Sequence, residues 1–305
     1  MQKEYLENYR PLPDDIVRYK DMGNIKEIMF AEHRNSNIAI KRLDKENYVL
    51  LETGEVKKFE HIESRADDKN SVRVSLGKLR DIINTNVTVP ENCRWCTLTY
   101  AENMTDTARL YDDFRKFIMR LKYNYPDNKF KYIVAMEPQG RGAWHAHLIL
   151  IFETKAPFIP NERLAEIWGK GFVSIKAVKD IDNLGVYFSA YLADMEIKDI
   201  DEDVLYLKHR SDLKIVDSTD EDGKPVKKCI IKGARLKLYP PKFNIYRCSR
   251  GIKMPDVEYM RNSEAEKKVG SAKPTYERSI AITDNDFSNK FNYRQYNLNR
   301  HNNQE

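Results

Sequence analysis

Alternating hydrophobic and polar positions mark strands most clearly in the middle third of the chain. The alternation predicts strands over Trp95–Tyr100, Lys131–Met136 and Phe172–Lys176. A further apolar run, His145–Phe152, follows the turn-rich loop Pro138–Gly142. This short loop predicts that the runs on either side of it form an antiparallel hairpin.

Two stretches of the same region repeat apolar residues at helical spacing instead. The first follows a cap at Thr105 or Asp106, and the second starts near Asp182. The apolar positions are Leu110, Phe114, Phe117, Ile118 and Leu121 in the first helix, and Leu184, Tyr187, Phe188, Tyr191, Leu192 and Met195 in the second. Tyr187 and Tyr191 are one turn apart on one face, a position that core residues most often occupy.

The two ends of the chain differ from this middle region. Residues 1–90 read as a separate module, with a small β-sheet around Ile38–Ile40 and Tyr48–Leu51 and a short helix over Ser75–Asn84. Its role is open between nucleic-acid binding, oligomerisation and packing. Residues 261–305 are poor in apolar side chains, and six of the last eighteen residues are Asn. This composition predicts a disordered tail.

Composition and hydropathy predict the size of the core and whether the chain is soluble. The chain has 305 residues, of which 41% are hydrophobic, enough for one large or two modest domains. Its longest central apolar run, Leu148–Phe152, is far below the roughly 20 residues that a membrane span needs. The first residues contain no apolar signal region. We therefore expect a soluble, cytoplasmic protein with no membrane partner.

Charge is segregated along the chain, although 52 Lys and Arg against 47 Asp and Glu leave a net charge of only +5. Residues 194–222 hold eleven acidic and four basic residues, whereas residues 227–253 hold nine basic residues and no acidic one. The basic run is interleaved with Tyr239, Phe243 and Tyr246, an arrangement that suits phosphates and stacked bases. Two strands with solvated Lys side chains explain it equally well. The candidate DNA contacts are Arg235, Lys237, Lys242 and Arg247.

Four cysteines in a chain of this length do not predict a disulfide scaffold. Cys93 and Cys96 have the spacing of a zinc or redox pair, but Cys229 and Cys248 form no second pair. Reduced thiols are the simpler interpretation.

A candidate metal site lies on the predicted hairpin. His145 and His147 point to one side of their strand, and the hairpin makes Glu137 a neighbour across the ladder. Two imidazoles and a carboxylate suit a divalent cation with open coordination positions. The alternative is a pair of histidines satisfied by hydrogen bonds on a half-buried strand. The residues alone leave both open.

The order of these motifs resembles the rolling-circle replication initiators of the HUH endonuclease superfamily. The resemblance covers Trp95 to Met195. It rests on Thr97-Leu-Thr99, Glu137, His145-Ala-His147, Trp168-Gly-Lys-Gly-Phe172 and Tyr187-Phe-Ser-Ala-Tyr191. It implies an α+β fold in which helices flank a central antiparallel β-sheet and the two-histidine strand lies in the middle.

The same resemblance implies roles for the residues. Glu137, His145 and His147 would bind Mg²⁺ or Mn²⁺, Tyr187 would be the nucleophile, and Tyr191 would be a second tyrosine of the site. The family's motif places a Lys where this chain has Ala190. Another cation, Lys176 or Lys179, would have to replace it, or the reaction would be slower.

The implied domains are an accessory module at 1–90, the endonuclease core at 91–200, an acidic loop and basic segment completing it at 201–260, and the tail at 261–305.

The expected function is that of a site-specific single-strand DNA endonuclease and strand transferase, which initiates rolling-circle replication of a plasmid or phage. Tyrosine attack would give a 5′-phosphotyrosine and a free 3′-OH on single-stranded or hairpin origin DNA. The sequence has no G-x-x-x-x-G-K-[ST] motif, so a host helicase and DNA polymerase would have to follow. The alternatives are a relaxase or transposase with the same chemistry, a metal-dependent hydrolase without a covalent intermediate, and a DNA-binding regulator without activity.

Overall fold

The structure is a computed structural model that describes residues 2–34, 39–59, 68–178, 183–196, 213–219, 225–231, 233–284 and 287–300. Its contacts divide the chain into two compact units. The first unit combines Met1–Glu63 with Asp256–Glu305, and the second is the continuous segment Ser64–Pro255.

Strands predominate among the described residues. In chain order they are β1 (Gln2–Tyr5), β2 (Ile16–Met22), β3 (Ile25–Ala31), β4 (Ile40–Arg42), β5 (Asn47–Leu50), β6 (Val56–Lys58), β7 (Cys93–Thr99), β8 (Phe130–Pro138), β9 (Trp144–Phe152), β10 (Val173–Ala177), β11 (Met195–Glu196), β12 (Leu213–Thr219), β13 (Pro225–Ile231), β14 (Tyr246–Cys248), β15 (Asp256–Arg261), β16 (Tyr276–Asp284) and β17 (Phe287–Asn297). The helices are α1 (Lys69–Asn86), α2 (Thr107–Asn124), α3 (Asn161–Trp168), α4 (Leu184–Ala193) and α5 (Asn262–Val269). Short 3-10 helices cover Pro90–Asn92, Ala234–Leu238 and Leu298–Arg300.

The first unit contains a six-stranded antiparallel sheet in the order β1-β16-β17-β3-β2-β15. Its core lies on the sheet face that carries Val17, Ile28 and Met260, where Ala265 and Val269 of α5 join the same cluster. Strands β4, β5 and β6 form a separate three-stranded sheet. This small sheet confirms the predicted strands near Ile40 and Tyr48, whereas Ile38 lies outside the described residues.

The prediction of a disordered tail is wrong for residues 262–297. β16 pairs with β17 over nine positions, and β17 pairs with β3, so these strands lie inside the sheet. Their composition misled because the buried face of β17 is polar. Asn292 donates from Nδ2 to Ser279 Oγ at 2.9 Å and to Tyr9 O at 3.2 Å. Arg294, fully buried, donates from Nη1 to Glu266 Oε1 at 2.7 Å.

The second unit is built on a five-stranded antiparallel sheet in the order β10-β7-β9-β8-β14. The two-histidine strand β9 is therefore central, as expected, and its apolar residues Leu148 and Ile149 are fully buried. Helix α2 begins after Asp106, whose carboxylate accepts from the backbone N–H groups of Ala108 and Arg109. The α+β class with an antiparallel sheet and flanking helices is confirmed.

Helix α1 contains the predicted helix Ser75–Asn84 and extends it at both ends. By its contacts it belongs to the second unit, not to a module of residues 1–90. Most of the acidic stretch, residues 194–222, lies outside the described residues. Strand β12, which falls within this stretch, pairs antiparallel with β13. Among the helices that the structure describes, none is long and apolar enough to cross a membrane.

Candidate metal centre

The hairpin of β8 and β9 brings the three predicted metal ligands together. Glu137 stands directly opposite His145 in the ladder, and His147 lies two residues further on the same face. One ligand atom from each of the three side chains lies within 4.8 Å of the others. Glu137 and His147 are buried, and His145 is partly buried. Among the described residues, this is the one group of three or more His, Cys, Asp or Glu side chains that is close enough to hold a metal ion.

Neighbouring side chains fix the two imidazole rings. His147 contacts Glu137 Oε2 through Nε2, and its Nδ1 lies 3.4 Å from Thr97 Oγ1 on β7. Gln139 Nε2 lies 3.2 Å from Nδ1 of His145. The amide of Gln139 can flip, and with its oxygen towards Nδ1 the ring keeps its proton there and its Nε2 lone pair stays free. Both rings are thus oriented through Nδ1.

The residues fit a divalent cation. The Nε2 atom of His145 is buried and has no hydrogen-bond partner in the described part of the chain. An unsatisfied buried nitrogen beside a carboxylate and a second imidazole is what a bound cation would satisfy. The donor set of two imidazoles and one carboxylate leaves coordination positions for other ligands.

The electrostatics favour the ligand forms of His145 and Glu137. Burial lowers the pKa of His145 to about 4, although the Glu137 charge opposes this, so the imidazole is neutral near pH 7. Burial alone would raise the pKa of Glu137, but the hydrogen bond from His147 and the charges of His147 and Arg235 outweigh it and lower that pKa. Neutral imidazole and ionised carboxylate are the forms that bind metals.

Arg235 is the member of the predicted basic surface that the structure brings to this site. Its side chain is buried, with Nη1 at 2.6 Å from Glu137 Oε1 and 2.8 Å from Pro138 O. Nε donates to Asp194 O at 3.1 Å. A cavity of about 420 Å³ opens beside the ion pair, and its lining residues are Glu137, Gln139, Gly140, Arg141 and Arg235. Nothing in the basic run distinguishes Arg235 from its neighbours, so its contact with Glu137 was missed.

Helix α4 packs against the candidate metal centre. The Phe188 ring is fully buried, with its centroid 6.3 Å from that of His147 and 5.0 Å from that of Trp95. The buried hydroxyl of Tyr239 lies 2.9 Å from Met136 O and 3.2 Å from Leu192 O, so it can donate its proton to either carbonyl and links α4 to β8. Tyr187, Ala190 and Tyr191 belong to this helix, and their side chains lie outside the description.

Helix α1 fixes the start of α4. Asn84, buried on α1, accepts the backbone N–H of Gly185 at 3.1 Å and donates to Asn183 Oδ1 at 3.0 Å. Asn183 accepts the N–H of Val186 at 3.0 Å and so satisfies another donor of the first turn. These contacts fix the first turn of α4, the helix that packs on His147 through Phe188.

The other predicted DNA contacts are on the surface. Lys176 on β10 is exposed, as are Lys237, Lys242 and Arg247. The guanidinium of Arg247 lies 3.4 Å from the centroid of the Tyr111 ring. Lys179 lies outside the described residues. Of the six basic residues that the sequence singled out, Arg235 is the one with a recorded contact to a triad residue in the described part of the chain.

Cys93 and Cys96 do not form a zinc pair. They are three residues apart on β7, so their side chains leave opposite faces of the strand. Both are free and buried, and burial raises the pKa of the Cys93 thiol to about 12. They act as small apolar core residues.

Residues 93–196 match the sequence model of a family described as replication-associated protein ORF2. The matched segment is about a third of the chain and contains β7, the triad hairpin and helix α4. It is consistent with a rolling-circle replication initiator and supports a role in starting replication. No curated protein and no solved structure matches the chain.

Proposed function

We propose that the protein is a metal-dependent, site-specific single-strand DNA endonuclease and strand transferase that initiates rolling-circle replication of a plasmid or phage. The observation that supports this best is the position of α4: the helix that carries Tyr187 and Tyr191 packs through Phe188 onto His147 of the candidate metal centre. The family match of the same segment supports replication as the setting.

In this proposal Glu137, His145 and His147 hold Mg²⁺ or Mn²⁺, which when bound would withdraw charge from the oxygens of the scissile phosphate. The Tyr187 hydroxyl attacks the phosphorus, an assignment supported by the packing of its helix, α4, on His147 through Phe188. A bond forms between the phenolic oxygen and phosphorus, the bond to the 3′ oxygen breaks, and the 3′ oxygen takes up a proton as the phenol loses one. The products are a 5′-phosphotyrosine and a free 3′-OH. Tyrosine has an ordinary pKa of about 10, so activation of the phosphate matters more than ionisation of the hydroxyl.

The proposed substrate is single-stranded or hairpin origin DNA, because a bent, accessible backbone is needed for in-line attack. The exposed cations Lys176, Lys237, Lys242 and Arg247, together with Lys179, are proposed phosphate contacts. Arg235 takes a different part, since it lies beside Glu137. A host helicase and DNA polymerase would extend the 3′-OH, and the reaction would take place with them in the cytoplasm.

The decisive experiment incubates the full chain with a labelled pool of single-stranded oligonucleotides and Mn²⁺, and resolves the products on a denaturing gel. A covalent protein–DNA band is expected, and it should be absent in excess EDTA and in His145→Ala and His147→Ala. Tyr187→Phe should remove the band, whereas Tyr191→Phe should still form the first adduct. Tyr123→Phe, which changes an exposed tyrosine of α2, is the matched control.

Each other result selects another mechanism. Loss of the adduct in Tyr191→Phe and its retention in Tyr187→Phe would identify Tyr191 as the nucleophile. The family's motif would then lie one helical turn later, with Asp194 at its Lys position. Metal-dependent cleavage without an adduct would select a hydrolase. Binding without cleavage would select a regulator. A relaxase or transposase would give the same adduct, and the replicon that carries the cleaved sequence would separate it from an initiator.

A further inference from the structure

The two faces of the six-stranded sheet in the first unit differ in charge. The registers place Lys3, Arg18, Lys20, Arg261 and Arg278 on one face, where Glu27 is the acidic partner among the side chains that the structure describes. The opposite face, which holds the core and α5, carries Glu4, Asp21, Asp256, Glu258 and Glu277 together with Lys26, Lys290 and Arg294. We call the first of these the basic face. Lys20 pairs with Glu27 at 3.1 Å and Arg261 pairs with Asp14 at 3.6 Å, so Lys3, Arg18 and Arg278 give the basic face its charge.

A continuous row of cations and apolar side chains crosses the basic face. Adjacent register pairs join Arg278, Tyr293, Met29, Arg18 and Tyr259, one residue from each of five neighbouring strands. At about 4.8 Å between strands the row is about 19 Å long. At 3.4 Å or more per nucleotide this spans at most about five nucleotides.

Aromatic rings of this face are open to solvent. The exposed fraction is 63% for Tyr259, 58% for Tyr5 and 47% for Tyr276. Arg278 lies over the Tyr5 ring at 4.6 Å and Arg34 over the Tyr259 ring at 4.9 Å, while Tyr276 packs against Tyr293 at 5.9 Å. These rings lie towards both edges of the sheet, with Tyr5 on β1, Tyr276 on β16 and Tyr259 on β15.

Arg18 and Arg278 of the row, and Arg34 over the Tyr259 ring, each donate through Nη2, to Met29 Sδ, Tyr5 Oη and Ile16 O in turn. Their other guanidinium N–H groups are left for a ligand. In the described part of the chain, none of the ion pairs involves Arg18, Arg34 or Arg278. The Nε atom of Arg18 is buried without a hydrogen-bond partner among the described residues. A cavity of about 530 Å³ lies on the same face, lined by Ala31, His33, Arg34, Phe287, Asn289 and Phe291.

We propose that the basic face binds single-stranded DNA, with bases stacked on the tyrosine rings and phosphates held by the arginines. Exposed rings bind unpaired bases, since a duplex hides its base faces, and unpaired arginines bind phosphates. An acidic peptide would satisfy the cations but would leave the rings without a function. The choice of DNA rests on the proposed function.

The test measures binding of a fluorescein-labelled oligothymidylate to the full chain by anisotropy, in EDTA so that no cleavage occurs. Tyr259→Ala and Tyr276→Ala should each raise Kd by about fivefold to a hundredfold, because one stacked base is lost. Tyr259→Phe and Tyr276→Phe should bind like the wild type. Arg18→Gln and Arg278→Gln should each reduce the salt slope by about 0.7. Lys267→Gln, an exposed cation on α5, is the control and should change neither.

Photo-crosslinking locates the strand directly. An oligonucleotide with 5-iodouracil should crosslink to peptides that contain Tyr5, Tyr259 or Tyr276. Unchanged Kd in both alanine variants, crosslinks confined to residues 64–255, or equal affinity for a duplex would overturn the proposal. His147→Ala should lose the adduct and keep this binding. If the proposed nuclease function is wrong, the tyrosine variants should still weaken DNA binding. If the basic face does not bind DNA, the covalent adduct should still form.

Discussion

Arg235 and Glu137 form a buried ion pair, so removal of either side chain leaves the other charge buried without its partner. The arginine holds Oε1 of Glu137, while Oε2 contacts His147, so the arginine orients the carboxylate towards the imidazoles. Removal of one partner of a buried pair leaves an uncompensated charge, which costs about 3–5 kcal/mol. We expect Arg235→Leu to lower the free energy of unfolding by about this amount, measured by urea denaturation in EDTA.

A divalent cation should offset part of this loss, because it supplies positive charge to the same carboxylate. The difference in free energy of unfolding between Arg235→Leu and the wild type should therefore be smaller in Mn²⁺ than in EDTA. Lys237→Gln, an exposed change two residues away, should stay within about 0.5 kcal/mol of the wild type in both conditions. An Arg235→Leu protein as stable as Lys237→Gln in EDTA would contradict the role of this ion pair.

His145 should make stability depend on pH. Its folded-state pKa of about 4 lies below the ordinary 6.5, so the unfolded state binds the proton more readily. Its contribution is complete above pH 6.5 and is lost as pH falls towards 4, by about 3 kcal/mol in total. The groups whose charges act on it are Glu137, His147, Arg141 and Arg235.

We expect the free energy of unfolding in EDTA to fall between pH 6.5 and 4 in the wild type and to fall less in His145→Gln. Glu137 does not produce the same signal, because its pKa is lowered from 4.5 and its contribution is lost only below that value. His33→Gln, an exposed histidine of the first unit, should keep the wild-type slope. Equal slopes in all three proteins would contradict the burial of His145.

At the scale of elements, helix α4 can approach α1 because residue 185 is glycine. A Cβ atom at Gly185 would lie 2.5 Å from Arg80 O and 2.8 Å from Asn84 Oδ1. Gly185→Ala must therefore push the two helices apart, and overpacking of this kind costs about 1–3 kcal/mol. Because Phe188 of α4 packs on His147, we expect adduct formation to fall more than DNA binding.

The facing helix offers the matched control. A Cβ atom at Gly77 of α1 meets nothing within 4 Å. Gly77→Ala should therefore stabilise the protein by up to about 1 kcal/mol through helix propensity. Thermal unfolding and the denaturing gel measure both variants. If Gly185→Ala gains stability as Gly77→Ala does, the close packing of α1 on α4 is wrong.

What the sequence predicts depends on the range of the interactions. Glu137, His145 and His147 are joined by one short hairpin, so alternation along two strands was enough to place them together. Arg235 reaches the same hairpin from ninety-seven residues beyond Pro138, and Asn84 reaches Gly185 across a separation of 101. No local period encodes such contacts, and they supply the charge and the helix position at the site.

At the scale of the whole molecule, both ends of the chain build one sheet. Strands β16 and β17 lie between β1 and β3, although the segment 261–305 that contains them is rich in Asn and poor in apolar residues. The buried side chains of β17 bond to neighbouring elements, as Asn292 does with Ser279 of β16 and Arg294 does with Glu266 of α5. A rule that equates few apolar residues with disorder fails where the polar side chains of a core face are hydrogen-bonded to neighbouring elements. Among the described side chains of β17, the buried atoms left without a partner are Asn292 Oδ1 and Arg294 Nε.

The tail should therefore be required for the first unit to fold. A chain that ends at Gly270 lacks β16 and β17, so β1 loses its one recorded strand partner and β3 loses a neighbour on one side. It also lacks Arg294, which contacts Glu266 of α5, and Tyr296, which belongs to the core around Ile28.

Hydrogen exchange should show that amides of β2 and β3 lose nearly all protection, while those of β8 and β9 in the second unit keep theirs. A chain that ends at Arg300 retains every described element and should exchange like the wild type. Protection of β3 in the chain that ends at Gly270 would show that the tail is dispensable, as its composition alone predicts.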